Sequence, residues 1–214
     1  MHTYLKPLLS GFEAGKNEEN AFWMKKYMKD QFEFYGVKTP ERRAMLKFFL
    51  KEYGLPPANE LKPVIMECWS HDYRDWQYIA VGLLMEHIKK PEKEIVELLE
   101  FMIINKSWWD TVDGIAGWLV GPLFKKYPDL ISPKTTQWMN SENIWLQRSC
   151  LLYQLSYKKN TDTEILFHFI EELSGESSFW IRKAIGWVLR EYSKTNPAAV
   201  LKFVIPINGI TRPR

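Results

Sequence analysis

SFWIRKAIGWVLREYSKTNP, residues 178–197, carries the pattern on which the fold reading turns. Ile181, Ala184, Ile185, Val188 and Leu189 recur at the three- and four-residue spacing of a single helix face. Ser177 or Ser178 can open the segment, and Thr195-Asn196-Pro197 marks its end. The period is that of a helix and not the two-residue alternation of a strand.

The same period continues outward. Ile95, Leu98, Leu99 and Met102 repeat it upstream, as do Ile144, Leu151, Leu152 and Leu155. Alternating strand patterns closed by Asn-Gly or Asp-Gly turns are lacking: Asn208-Gly209 sits in the tail and Asp113-Gly114 inside a helical stretch. Thr39-Pro40-Glu41 offers an N-cap, a first-turn proline and an early acid. Ser107-Trp108-Trp109-Asp110 fits a capping box, with aspartate in the usual Glu/Gln place. Helices are predicted near 2–14, 18–30, 40–53, 58–71, 73–89, 91–105, 108–126, 129–140, 143–158, 162–173, 178–194 and 197–204.

Such helices joined by short loops pair with their sequence neighbours. The predicted fold is therefore all-α: a curved right-handed solenoid of degenerate HEAT-like helix pairs with a concave binding face. One domain spans 1–214, with an irregular tail over 205–214. A compact helical bundle is the alternative, because no strict repeat is visible in the sequence.

Composition narrows the class. The 214 residues can bury a sizeable core, and 46% hydrophobic with 26% charged residues is ordinary for a soluble globular protein. Ten tryptophans are not ordinary, and they leave rings over for a binding surface. Cys68 and Cys150 lie in apolar helical patterns and read as reduced core residues. The N-terminus lacks an apolar signal core and no stretch reaches transmembrane length, so a cytoplasmic protein without a membrane partner is expected. Net charge is +3, and its excess is C-terminal: 19 basic against 19 acidic residues over 1–140, then 10 against 7. That asymmetry hints at a polyanionic partner. Gly-rich phosphate loops, dinucleotide fingerprints and metal-spaced Cys/His clusters are missing, and the four histidines are scattered. No metal and no cofactor are expected.

What remains is carboxylates, tryptophans and arginines on helices. In KSWWDTVD (106–113), Trp108, Val112, Ile115 and Leu119 form a core stripe, while Trp109 and Asp113 share the neighbouring face. Asp113 lies beyond the first turn, where the helix dipole no longer rewards a carboxylate. It is either a solvated acid beside a half-buried tryptophan or a group with work to do. In IRKAIGWVLREYSK (181–194), Lys183, Trp187, Arg190 and Lys194 fall on one face. Cations with a flat ring suit a phosphate backbone, although snorkelling around a core tryptophan gives the same pattern. Arg148, in the largely apolar SENIWLQR (141–148), must pair with an internal acid such as Asp113 or face an anion. Tyr27, Thr39, Arg42, Arg43 and Lys47 surround a helix start, a weak phosphate-binding signal.

Together, YMKDQFEFYGVKTPERR (27–43), KSWWDTVD (106–113), SENIWLQR (141–148) and IRKAIGWVLREYSKTNP (181–197) resemble the HEAT-like alkylpurine DNA glycosylases, the AlkD-type DNA alkylation repair family. Four segments agree in order and spacing, and the likeness runs through most of 1–204. The resemblance implies a helical-repeat scaffold around double-stranded DNA. It also implies monofunctional hydrolysis of the N-glycosidic bond of cationic alkylated purines, 3-methyladenine and 7-methylguanine, without a base-flipping pocket. Trp109, Asp113 and Trp187 match the family's active site, and Arg148 a phosphate-contacting arginine. Lys183, Arg190, Lys194, Tyr27, Thr39, Arg43 and Lys47 are the further DNA-binding candidates. Relatives continue past this point with another basic helical segment, whereas here the sequence ends at Arg214. Alkylated duplex DNA is the expected partner; no protein partner is required, and a monomer is the simplest state. The competing expectations are a catalytically inactive HEAT-like nucleic-acid-binding scaffold and a protein-interaction solenoid.

Overall fold

The computed structural model describes residues 1–207, with the side chains of 206 and 207 left aside. The calls on Asn208-Gly209 and on the last residues of the tail lie outside the described residues. Among those described, the chain is all-helical and contains no strand, only an isolated bridge between Glu33 and Tyr73. Among the described residues, no helix is long and apolar enough to cross a membrane.

Contacts divide the chain into two compact units, Met1–Pro91 and the residues from Glu92 onward. In the first, a 3-10 turn (Thr3–Leu5) leads into α1 (Lys6–Ala14), followed by α2 (Glu18–Tyr27), α3 (Thr39–Tyr53), α4 (Ala58–Ser70) and α5 (Arg74–His87). Leu5, Leu8, Phe12, Phe49, Ile65, Trp76 and Ile79 make its core. The pair α4 and α5 shows how neighbours are joined. Gln77 of α5 donates from Nε2 to the carbonyls of Cys68, Trp69 and His71, serving acceptors that the end of α4 leaves without helical partners.

The second unit holds α6 (Ile95–Ile104), α7 (Trp109–Gly114), a π-helical turn (Ile115–Val120), α8 (Gly121–Lys126), α9 (Ile131–Met139), α10 (Ile144–Leu152), α11 (Thr163–Leu173), α12 (Phe179–Ser193) and α13 (Pro197–Ile207). The consecutive helices α6 and α7, α9 and α10, α10 and α11, and α12 and α13 pack as neighbours, the kind of pairing from which α–α solenoids are built, and α10 packs on α12 as well. At the centre lies α10, against α6, α7, α9, α11 and α12. Its Leu146–Leu152 run is buried on every side, so any charge there needs a matching partner.

Several local expectations are corrected. Helix α3 is capped at Lys38 and not Thr39, with the Glu41 carboxylate accepting the Lys38 N–H at 3.0 Å. Ser107 caps nothing downstream: its hydroxyl donates to the Ile103 carbonyl at 2.6 Å, serving the exposed end of α6, and Trp108 becomes the N-cap of α7. Asp110 thus belongs to the first turn of α7, where the positive end of the helix favours it. The expected 143–158 helix stops at Leu152, because Gln154 ties the following turns to the Asp162 backbone through both ends of its amide. The last helix runs to Ile207, beyond the expected end near 204.

The continuous helix expected over 108–126 changes register midway. The Gly121 N–H donates to the Ala116 carbonyl five residues back. Gly121 is required there: a Cβ would come within 2.5 Å of the Tyr153 carbonyl oxygen, and the Tyr157 hydroxyl donates to its own carbonyl at 2.6 Å. The core stripe survives, with Val112, Ile115 and Leu119 fully buried. Cys68 and Cys150 are free and buried, and burial pushes both thiols well above their ordinary range.

Candidate active site

Three helices of the second unit contribute. A cluster of indoles binds them together: Trp108 at the head of α7, Trp145 in α10 and Trp180 in α12, with ring centroids 5.0–5.9 Å apart. Such aromatic packing holds elements in one geometry more firmly than its buried area alone would suggest. On this base, Asp113 of α7 meets Arg148 of α10. Arg148 donates from Nε to Oδ1 at 2.7 Å and from Nη2 to Oδ2 at 2.8 Å, a bidentate pair, and from Nη1 to the Trp180 carbonyl.

The pair is sheltered, with side-chain exposure of 15% for Asp113 and 5% for Arg148. Burial lifts the Asp113 carboxyl above the ordinary aspartate range; Arg148 pulls it back by hydrogen bonding and charge, and Asp110 adds a smaller upward push. The guanidinium has five N–H donors, of which three are engaged. Two stay available, and Arg148 lines an open groove of about 810 Å³ with Phe179, Arg182, Lys183, Gly186, Trp187 and Arg190. Among the described residues, Arg182, Lys183 and Arg190 form no ion pair with any carboxylate. Lys183 instead sits 5.4 Å from the centre of the Phe179 ring. An open groove with unneutralised cations and a half-exposed indole suits a polyanion carrying flat or apolar groups.

Asp113 and Trp187 therefore both border on Arg148, one as its ion-pair partner and the other as a fellow groove residue. Trp109, half-buried, is the first residue of α7 and precedes Asp113 by one helical turn. Lys183 and Arg190 lie in the groove. Lys194 does not: it follows the end of α12 and pairs with Glu191 at 2.5 Å. Tyr27, Thr39, Arg43 and Lys47 all lie exposed in the first unit. Their neighbour Arg42 is buried, 4.1 Å from the centre of the Tyr78 ring and 3.3 Å from Thr39 Oγ1. Sequence reasoning passed over Arg182, Gly186 and Phe179, and the scaffold tryptophans Trp145 and Trp180. The spacing Arg182, Gly186, Arg190, at i, i+4 and i+8, would have found the groove face.

A model of the family described as DNA alkylation repair enzyme matches residues 8–209, nearly the whole chain. The chain belongs to the DNA alkylation repair enzyme family. A solved structure described as a predicted DNA alkylation repair enzyme from Enterococcus faecalis is 33% identical, with a TM-score of 0.83 over 92% of each chain. No curated protein matches significantly. Membership in the DNA alkylation repair family gives the protein a role in DNA repair, with DNA as its partner.

Proposed function

We propose that this member of the family is a monofunctional DNA glycosylase that hydrolyses the N-glycosidic bond of cationic alkylated purines, 3-methyladenine and 7-methylguanine, in duplex DNA. The observation that carries the reading is a sheltered carboxylate, Asp113, held by an arginine that opens onto a groove of unpaired cations and an indole.

Alkylation at N3 or N7 gives the purine a positive charge, so it departs without protonation by an acid. The need is on the sugar side, where an oxocarbenium ion develops as the bond breaks. A carboxylate in a water-poor setting stabilises that cation far more than it would in bulk water. Each Asp113 oxygen gives one acceptor position to Arg148 and keeps another for the attacking water. Trp187 and Trp109 would pack against deoxyribose, their ring faces favouring the cation. Arg148 can hold Asp113 and a backbone phosphate at once through its two remaining donors, and Lys183 and Arg190 extend the phosphate contact. An exposed groove in place of an enclosed cavity fits chemistry without deep capture of a flipped base. In this reading Tyr27, Thr39, Arg43 and Lys47 supply phosphate contacts from a HEAT-like scaffold. Lys194 reaches DNA only by leaving Glu191.

A second reading has one observation in its favour: an aspartate with both oxygens on one arginine is also what a purely structural ion pair looks like. The protein would then be an inactive DNA-binding scaffold. Incubating methylated duplex DNA with the protein separates the two. The glycosylase releases free 7-methylguanine and 3-methyladenine, leaves intact strands with alkali-labile abasic sites, and forms no borohydride-trapped adduct. Duplex binding without base release would establish the scaffold, and a trapped adduct with strand cleavage would replace the hydrolytic mechanism by a covalent one.

A further inference from the structure

Gly186 stands in the middle of α12, two turns from either end, where glycine is the least favourable residue other than proline. Two intramolecular reasons could keep it there, and neither applies. Its backbone is helical, so no left-handed conformation demands it. A Cβ built on it would meet nothing within 4 Å, so no neighbouring helix or side chain presses against it. Gly121 is the contrast in this molecule, since a Cβ there would collide with the Tyr153 carbonyl.

What lies beside Gly186 is the groove. Arg182 stands one turn before it and Arg190 one turn after, both exposed and both without a carboxylate partner among the described residues, with Trp187 adjacent. The two arginines are about 12 Å apart along the helix axis. Long cationic side chains thus flank a spot where the helix backbone is bare.

We propose that Gly186 is the point of closest approach of the DNA: the sugar-phosphate backbone of one strand lies directly on α12 there, between phosphate contacts made by Arg182 and Arg190. A bare Cα lets the strand sink to the depth at which Trp187 and Arg148 meet it, whereas any side chain holds it off. Small residues serve the same end wherever a backbone must come close to a ligand. The inference rests on the DNA-binding reading given above and adds to it Gly186 as the residue that sets the depth, and Arg182 as a contact.

The test is a size series, Gly186→Ala and Gly186→Leu, measured for thermal stability and for binding to a methylated duplex beside the wild-type protein. Open space around the position means both variants fold. Replacing a helical glycine should raise Tm by roughly 2–4 °C for alanine. Duplex affinity should fall in order of size, by about tenfold for leucine, the scale of one or two lost phosphate contacts. Stability and binding moving in opposite directions is an outcome that a merely structural glycine cannot give. Wild-type binding with an equally tight Gly186→Leu would overturn the close-approach inference alone, as would a fall in Tm for both variants. Failure of the wild-type protein to bind duplex DNA in a salt-dependent way would overturn the DNA reading beneath it.

Discussion

Each unit of the molecule buries an aspartate facing an arginine, and the two pairs are built to different ends. In the first unit, Asp75 is fully buried; its Oδ2 accepts the Tyr35 N–H at 2.9 Å and its Oδ1 lies 4.0 Å from Arg42 Nη1. Arg42 packs on the Tyr78 ring, its guanidinium carbon 4.1 Å from the ring centre. In the second unit, Asp113 makes a closer bidentate pair, yet it keeps some exposure and its arginine lines a groove. Burial raises both carboxyls above their ordinary range, partly offset by the Tyr35 N–H and then Arg42 at Asp75, and by Arg148 at Asp113. A raised carboxyl alone therefore does not mark a site. What distinguishes Asp113 is that the carboxylate itself keeps some exposure and its arginine lines an open groove, whereas Asp75 is fully buried and fastens the Tyr35 loop to α5.

The largest contrast expected is in stability. Asp75→Ala deprives the buried Tyr35 N–H of its acceptor and removes the fully buried carboxylate that faces Arg42, which should cost about 3 kcal/mol. Asp113→Ala should cost less, about 2 kcal/mol, since the carboxylate lost is itself part-exposed and Arg148 keeps the Trp180 carbonyl. Urea unfolding of the two variants checks this, and an equal or reversed cost would erase the distinction.

A smaller effect sharpens the role of Arg148. On the proposed mechanism base release needs Asp113 ionised, so the rate should fall as pH drops through its carboxyl pKa. Because burial raises that pKa, the fall should set in at a higher pH than for an exposed aspartate. Arg148 opposes the rise, so Arg148→Gln should move the acid limb of the pH–rate profile to still higher pH. Asp75→Asn should leave that limb in place. An unmoved limb in Arg148→Gln would separate Arg148 from control of the carboxylate.

Much of this was legible in the sequence, for identifiable reasons. Period, caps and prolines report on local backbone preference, and the helices follow them closely over Glu18–Tyr27, Thr39–Tyr53 and Phe179–Ser193. Arg148 was legible because a cation in an apolar helix demands an anion, and Asp113 was the acid at hand. The misreadings arose where distant groups compete for local ones. Ser107 caps or serves the previous helix depending on how Lys106 turns the chain, which it does with φ of 49°. The register change after Gly114 depends on Tyr153 and Tyr157, more than thirty residues away. Gly186 is visible as a letter, but the open space beside it is a tertiary fact.

The claim that Asp113 serves chemistry while Asp75 serves the fold is tested most directly by single-turnover release of 7-methylguanine from duplex DNA, with Asp113→Asn and Asp75→Asn measured beside the wild-type protein. Asp113→Asn should be slower by roughly 10²–10³-fold, as for other lost electrostatic groups, with duplex binding retained. Asp75→Asn should release base at close to the wild-type rate. Equal rates for wild type and Asp113→Asn would contradict the account and return the Asp113–Arg148 pair to the scaffold.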